Sequence, residues 1–241
     1  MSLQSHSLQR ICELNAHGIL ALAQGKAGKC SILALKEAMI TLDLLCSLSP
    51  QGSENSADLP FAFRTVPVPG LHDDNMYIVD HAFLVSPAIT LNNSISLTAT
   101  DMAVVCAILT FNMALIYHQL GRESGDSRKL NTSYRLYCNC SEITGAVVGI
   151  PRPSVSDTLD VMQMLAMNNA AQIQYAMASF AESDSLMAQV RRRMLQFQNR
   201  DDIPEPFSSE TNLFIVIPRE SLDEINLNAA VCIRPSTAPT A

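Results

Sequence analysis

From Met102 to Phe111 the chain is apolar at nearly every position, and Met113 to Tyr117 carries the run past a single amide, Asn112. At helical spacing Met102, Val105, Leu109, Met113 and Ile116 fill one side, while Ala103, Cys106, Ala107, Phe111 and Ala114 fill much of the other. A helix with no polar face must be sandwiched between other elements or buried in a bilayer. Crossing a bilayer takes about 20 apolar residues. Asp101, Asn112 and His118 bound or interrupt this run, so the sequence favours a buried helix and no membrane span. Thr98-Ala99-Thr100-Asp101 offers hydroxyl caps and an early acidic residue at its start, and the helix is expected to reach about Leu120.

The remaining sequence supplies elements to surround it. Residues 7–46 read as a hairpin of two helices broken at Gly25 and Gly28, the second carrying Leu33, Leu35, Ala38, Met39, Leu42 and Leu45 at helical spacing. Residues 100–143 form a second hairpin and 157–199 a third, whose first helix has a stripe of Met162, Leu165, Ala166, Ala170, Ile173 and Met177. Between the first two lies a loop-rich insertion, 47–97. Its opening, to Pro60, is rich in Ser, Asn, Asp and Glu, a composition expected to stay mobile. Phe61–Val68 and Met76–Val85 carry aromatic and β-branched residues around a turn and read as extended pieces, the second alternatively as a helical turn leading into the next hairpin. Residues 201–241 are expected to be a linker, short extended segments that include Leu213–Ile217, and a fraying tail. The expected fold is mainly α: one helical domain over 1–200, with a few short strands.

Composition narrows the partners. A formal charge of -7 argues against nucleic-acid and anionic-membrane binding, both of which rest on basic patches. Seven cysteines, an odd count without framework spacing, fit a reducing compartment. The opening Met1-Ser2-Leu3-Gln4-Ser5-His6 has no basic region feeding an apolar stretch, so a cytoplasmic location is expected.

Asn112-Met113-Ala114-Leu115-Ile116-Tyr117-His118-Gln119-Leu120-Gly121 resembles the first helix of a tetratricopeptide unit ending on its turn glycine. In that family each unit pairs two helices through small residues at their crossing. Gly18, Ala114 and Ala171 match the first-helix positions, and Ser31, Ser133 and Ala188 the second-helix ones. Gly25 and Gly121 match the turn, with Ala178 in that place in the third unit, and Leu35 with Ala38 and Tyr137 with Cys140 match later positions. The resemblance implies a short solenoid of three hairpins that binds a protein or peptide in a groove, or pairs with itself. Family members that grip acidic peptide tails use Lys, Asn and Arg on successive first helices. Asn112 matches one such asparagine, whereas Asn15, Leu165 and Asn169 stand where positive charge or its partner belongs, which argues against that activity.

Other chemistry is thinly represented. His72-Asp73-Asp74 with Asp80-His81 is the densest group of acid-base or metal-ligating residues, but these are common turn residues and no second cluster completes a site. Cys138 and Cys140 would point about 200° apart on a helix, which is wrong for a zinc half-site. Arg191-Arg192-Arg193 fans around a helix axis, and Gly25-Lys26-Ala27-Gly28-Lys29 lacks the strand and spacing of a phosphate loop. No cofactor or metal is expected. Polar or amphipathic groups on otherwise apolar helices, Tyr117, His118 and Gln119 on one and Gln172, Gln174 and Tyr175 on another, are placed to line a groove, and the candidate partner-binding residues are Asn112, Tyr117, His118, Gln119, Asn169, Gln172 and Gln174. The sequence therefore reads as a non-enzymatic scaffold. The alternative is an enzyme of unknown class with an acid-base or metal site around His72, Asp73, Asp74 and His81.

Overall fold

The computed structural model describes residues 3–26, 28–48, 61–68, 81–87, 97–147 and 153–198. Within them the chain is mainly helical. In order, it forms α1 (Leu3–Ala23), α2 (Lys29–Leu48), β1 (Phe61–Pro67), β2 (His81–Pro87), α3 (Ala99–Ser124), α4 (Ser127–Val147), α5 (Pro153–Ala176) and α6 (Phe180–Gln198). The six helices form three hairpins, and each helix packs on the next from α1 to α6, with a further contact between α1 and α3. The two strands pair antiparallel, Phe61 opposite Pro87 and Pro67 opposite His81. Strand β2 lies against α1 and α3, the first helices of the first two hairpins. The expected mobile stretch up to Pro60, residues 76–80 and the segment 201–241 lie outside the described residues.

Helix α3 is the sandwiched element that its composition demands. Every residue from Val104 to Ile116 is buried except the half-buried Cys106, with α2, α4 and β2 packed around it. Among the described residues it is also the helix long and apolar enough to cross a membrane, yet most of that apolar stretch is covered by the protein itself. A capping box fixes its start. The Thr98 hydroxyl accepts from the Asp101 N–H at 3.1 Å, and the Asp101 carboxylate accepts from the Thr98 N–H at 2.8 Å.

Two of the three small-residue crossings come together. A Cβ on Gly18 would meet the Ser31 carbonyl oxygen at 3.3 Å and Leu35 Cγ at 3.1 Å, so α1 and α2 cross there at close range. In the second hairpin the Ser133 hydroxyl donates to the Ala114 carbonyl at 2.7 Å, which ties the crossing with a buried hydrogen bond. The third differs: Ala171 is buried but Ala188 is exposed, and the small residue α6 buries is Ser183.

The turn glycine of the second hairpin also differs from expectation. Gly121 lies within α3, which runs one turn further, and the reversal is made at Gly125 with φ 62°. Gly121 serves the packing instead, because any side chain there would strike Leu130, its Cβ only 2.8 Å from Leu130 Cδ2. Gly25 (φ 67°) and Ala178 (φ 60°) occupy the equivalent left-handed position in the other hairpins, so Ala178 carries strain that glycine would not.

Candidate functional site

Asn15 on α1 and Asn112 on α3 are 97 positions apart in sequence and fully buried together beside β2. Helical periodicity puts each amide on the face its helix turns toward the strand, and the strand supplies the polar groups that make this tolerable. The Phe83 N–H donates to Asn112 Oδ1 at 2.8 Å. The Phe83 carbonyl accepts from Asn112 Nδ2 at 2.7 Å and from Asn15 Nδ2 at 3.0 Å, while Asn112 Nδ2 also donates to Asn15 Oδ1 at 2.9 Å. Two first helices thus hold both main-chain groups of one residue in an extended strand. They cap the strand edge that faces away from β1 at that point.

The side chain of Phe83 continues the contact inward. Its ring meets Phe111 edge-on at 5.2 Å between centroids, Phe111 meets Tyr137 of α4 at 5.5 Å, and Tyr137 meets His118 at 6.0 Å. The Tyr137 hydroxyl accepts from Asn169 Nδ2 of α5 at 3.1 Å. An aromatic ladder therefore links β2 to α3, α4 and α5. Burial pushes the Tyr137 phenol well above its ordinary range, so it stays protonated. Burial, helped by the positive charge of Arg122, pulls His118 down to about 3, and the imidazole is neutral in this core.

Most candidate partner-binding residues are consumed inside the fold. Asn112, His118, Gln119, Asn169 and Gln172 are all buried. Asn112 is committed to Phe83, Asn169 to Tyr137, and Gln119 donates to Glu123 at 2.9 Å. Tyr117 is half-buried against the core, and Gln174, also half-buried, hydrogen-bonds the Tyr134 hydroxyl. Beyond Gln174 the turn between α5 and α6 exposes Tyr175 and Phe180, whose rings sit edge-on at 5.4 Å.

His72, Asp73 and Asp74 lie outside the described residues, and His81 opens β2 half-buried opposite Pro67. Among the described residues no group of three or more His, Cys, Asp or Glu is placed to hold a metal. The described cysteines are free thiols, and burial raises Cys12, to about 12, and Cys138, disfavouring the nucleophilic thiolate. Arg193 reaches Asp160 of α5 at 3.4 Å.

On the outer side of the first hairpin an open groove of about 450 Å³ runs between α1 and α2, with Leu14, Leu33 and Ala34 along it and Arg10, Glu13 and Glu37 at its rim. Leu33, expected in the buried stripe of α2, is half-exposed, as are Ile40 and Leu44.

Sequence reasoning missed Phe83 as the occupant of the inner face. Asn112 carried a legible signal, an amide within an apolar run, but nothing in the spacing joins it to a strand from the insertion. No family model, curated protein or solved structure matches the chain.

Proposed function

We propose that the protein is a non-enzymatic scaffold of tetratricopeptide-like helical hairpins that acts in the cytoplasm by holding a protein or peptide partner. The observation that carries this reading is the asparagine pair on successive first helices, which grips the N–H and C=O of Phe83 in an extended strand. Amides aimed at main-chain groups hold extended polypeptide whatever its side chains, and such a face suits peptide recognition. The chain's own β2 fills the part of that face made by α1 and α3. A partner in trans is therefore met where candidate residues keep exposure: at Tyr117, and at Gln174 with the neighbouring Tyr175 and Phe180.

The test is affinity capture by the full chain from its native lysate, in parallel with Tyr117→Ser/Gln174→Ala/Tyr175→Ser, with circular dichroism showing that both are folded. One stoichiometric protein retained by the wild type and lost by the variant is the expected result. A wild-type capture that enriches nothing, or a partner held equally by both, would overturn the reading.

A further inference from the structure

We propose that the exposed face of α2 is a self-complementary interface through which two copies of this chain pair, α2 against α2 and antiparallel, about a two-fold axis close to Ile40. Leu33, Ile40 and Leu44 are each more than half exposed, at 52%, 62% and 58%. At about 100° per residue they fall within roughly 40° of arc, a narrow apolar stripe of the kind that seams two helices. No described element covers it: α2 packs on α1 and α3 with its other faces, where Leu35, Ala38, Leu42 and Leu45 are buried. The adjoining groove between α1 and α2 extends the apolar floor with Leu14 and Ala34.

Charge selects the occupant. Lys36 and Asp43 are exposed, lie together on one flank of the stripe, and neither makes an ion pair with a described residue. An antiparallel two-fold pairing sets the same flank of each helix against the other. With the two Ile40 side chains meeting at the axis, Leu33 of each copy comes beside Leu44 of the other, and Lys36 comes opposite Asp43 of the other, twice. The opposite flank carries Glu37, whose carboxylate is already held by Arg10 at 2.7 Å, so the two Glu37 side chains do not meet as bare like charges. A sequence that places its own countercharge at the symmetry-related position fits a second copy of itself. This proposal is independent of the partner surface above, which lies on other helices.

The test is sedimentation of the full chain at concentrations up to about 200 μM, since a single helix pair lies at the small, transient end of interface sizes. The wild type is expected to pass from monomer to dimer over that range, and Ile40→Ser to remain monomeric with unchanged helicity. Lys36→Glu alone opposes two acidic residues twice and Asp43→Lys alone opposes two lysines twice, so each is expected to weaken pairing by about tenfold. Mixing these two variants sets the introduced glutamate of one copy against the introduced lysine of the other, and leaves the native Lys36 of the second facing the native Asp43 of the first. The mixture is expected to restore pairing as a heterodimer. A wild type that stays monomeric throughout, or a dimer indifferent to both swaps and to their mixing, would overturn the proposal.

Discussion

Replacing Asn112 by alanine tests the inner-face clamp most directly. The substitution removes three buried hydrogen bonds: Phe83 N–H to Oδ1, Nδ2 to the Phe83 carbonyl, and Nδ2 to Asn15 Oδ1. At roughly 1 kcal/mol net per bond the expected loss is about 3 kcal/mol. Asn15→Ala removes two bonds and leaves both main-chain groups of Phe83 served by Asn112, so about 2 kcal/mol is expected. Alanine's helix-propensity gain is common to both variants and drops out of the comparison. The Asn15–Asn112 bond is lost in either single variant, so the double variant should fall short of the sum by about 1 kcal/mol. Urea unfolding with an unchanged m-value measures all three. Equal costs for the two singles, or strict additivity, would refute the shared clamp.

Gly121→Ala should destabilise by about 1–2 kcal/mol, because the clash with Leu130 at 2.8 Å outweighs the helix-propensity gain of about 1 kcal/mol; a rise in melting temperature would show slack between α3 and α4. Ala178→Gly should stabilise by about 0.5–1 kcal/mol in the same assay, by releasing the strain at φ 60°, and a loss would place that strain elsewhere. His118, held near 3 in the fold, binds a proton only after unfolding once the pH falls below its ordinary value near 6.5. Its contribution is intact above that value and is lost on the way down to pH 3, about 2 kcal/mol of it by pH 5. His118→Leu should flatten this part of the stability profile between pH 7 and 5, and an unchanged slope would mean that the imidazole takes up its proton as readily in the fold as in the unfolded chain.

The helices were legible because each carries its own local cause. Thr98 and Asp101 mark the start of α3, Gly25 supplies the left-handed residue after α1, and the apolar stripe expected on α5 is buried from Met162 to Ile173, while its last member, Met177, lies past the helix end and is exposed. The errors come where two elements meet. Gly121 looks like a turn residue in the sequence, but what it relieves is contact with Leu130 across the hairpin, and the reversal falls to Gly125. Leu33 has the right period to be core but faces outward, since period defines a stripe and packing decides which part of it is covered. Of the extended piece expected over Met76–Val85, the described part is strand, since β2 runs from His81 to Pro87, and residues 76–80 lie outside the described part of the chain.

Polar residues inside apolar helices are ambiguous for a physical reason: an amide that greets a partner and an amide that satisfies the protein's own main chain look alike in sequence. Here the distinction is made by β2. A buried Asn112 without Phe83 would carry several unmet donors and acceptors, a cost that would favour any extended segment able to dock there. The chain meets that demand from its own insertion and then secures the strand with side chains, since Phe83, Val85 and Phe61 are buried and Phe83 opens the ring ladder to Phe111 and Tyr137. A competing peptide would have to replace the amide contacts and the aromatic packing together. The first-helix face near α1 and α3 is thus closed by the chain itself, and the apolar side chains left exposed among the described residues include Tyr175 with Phe180 in the third hairpin and Leu33, Ile40 and Leu44 in the first.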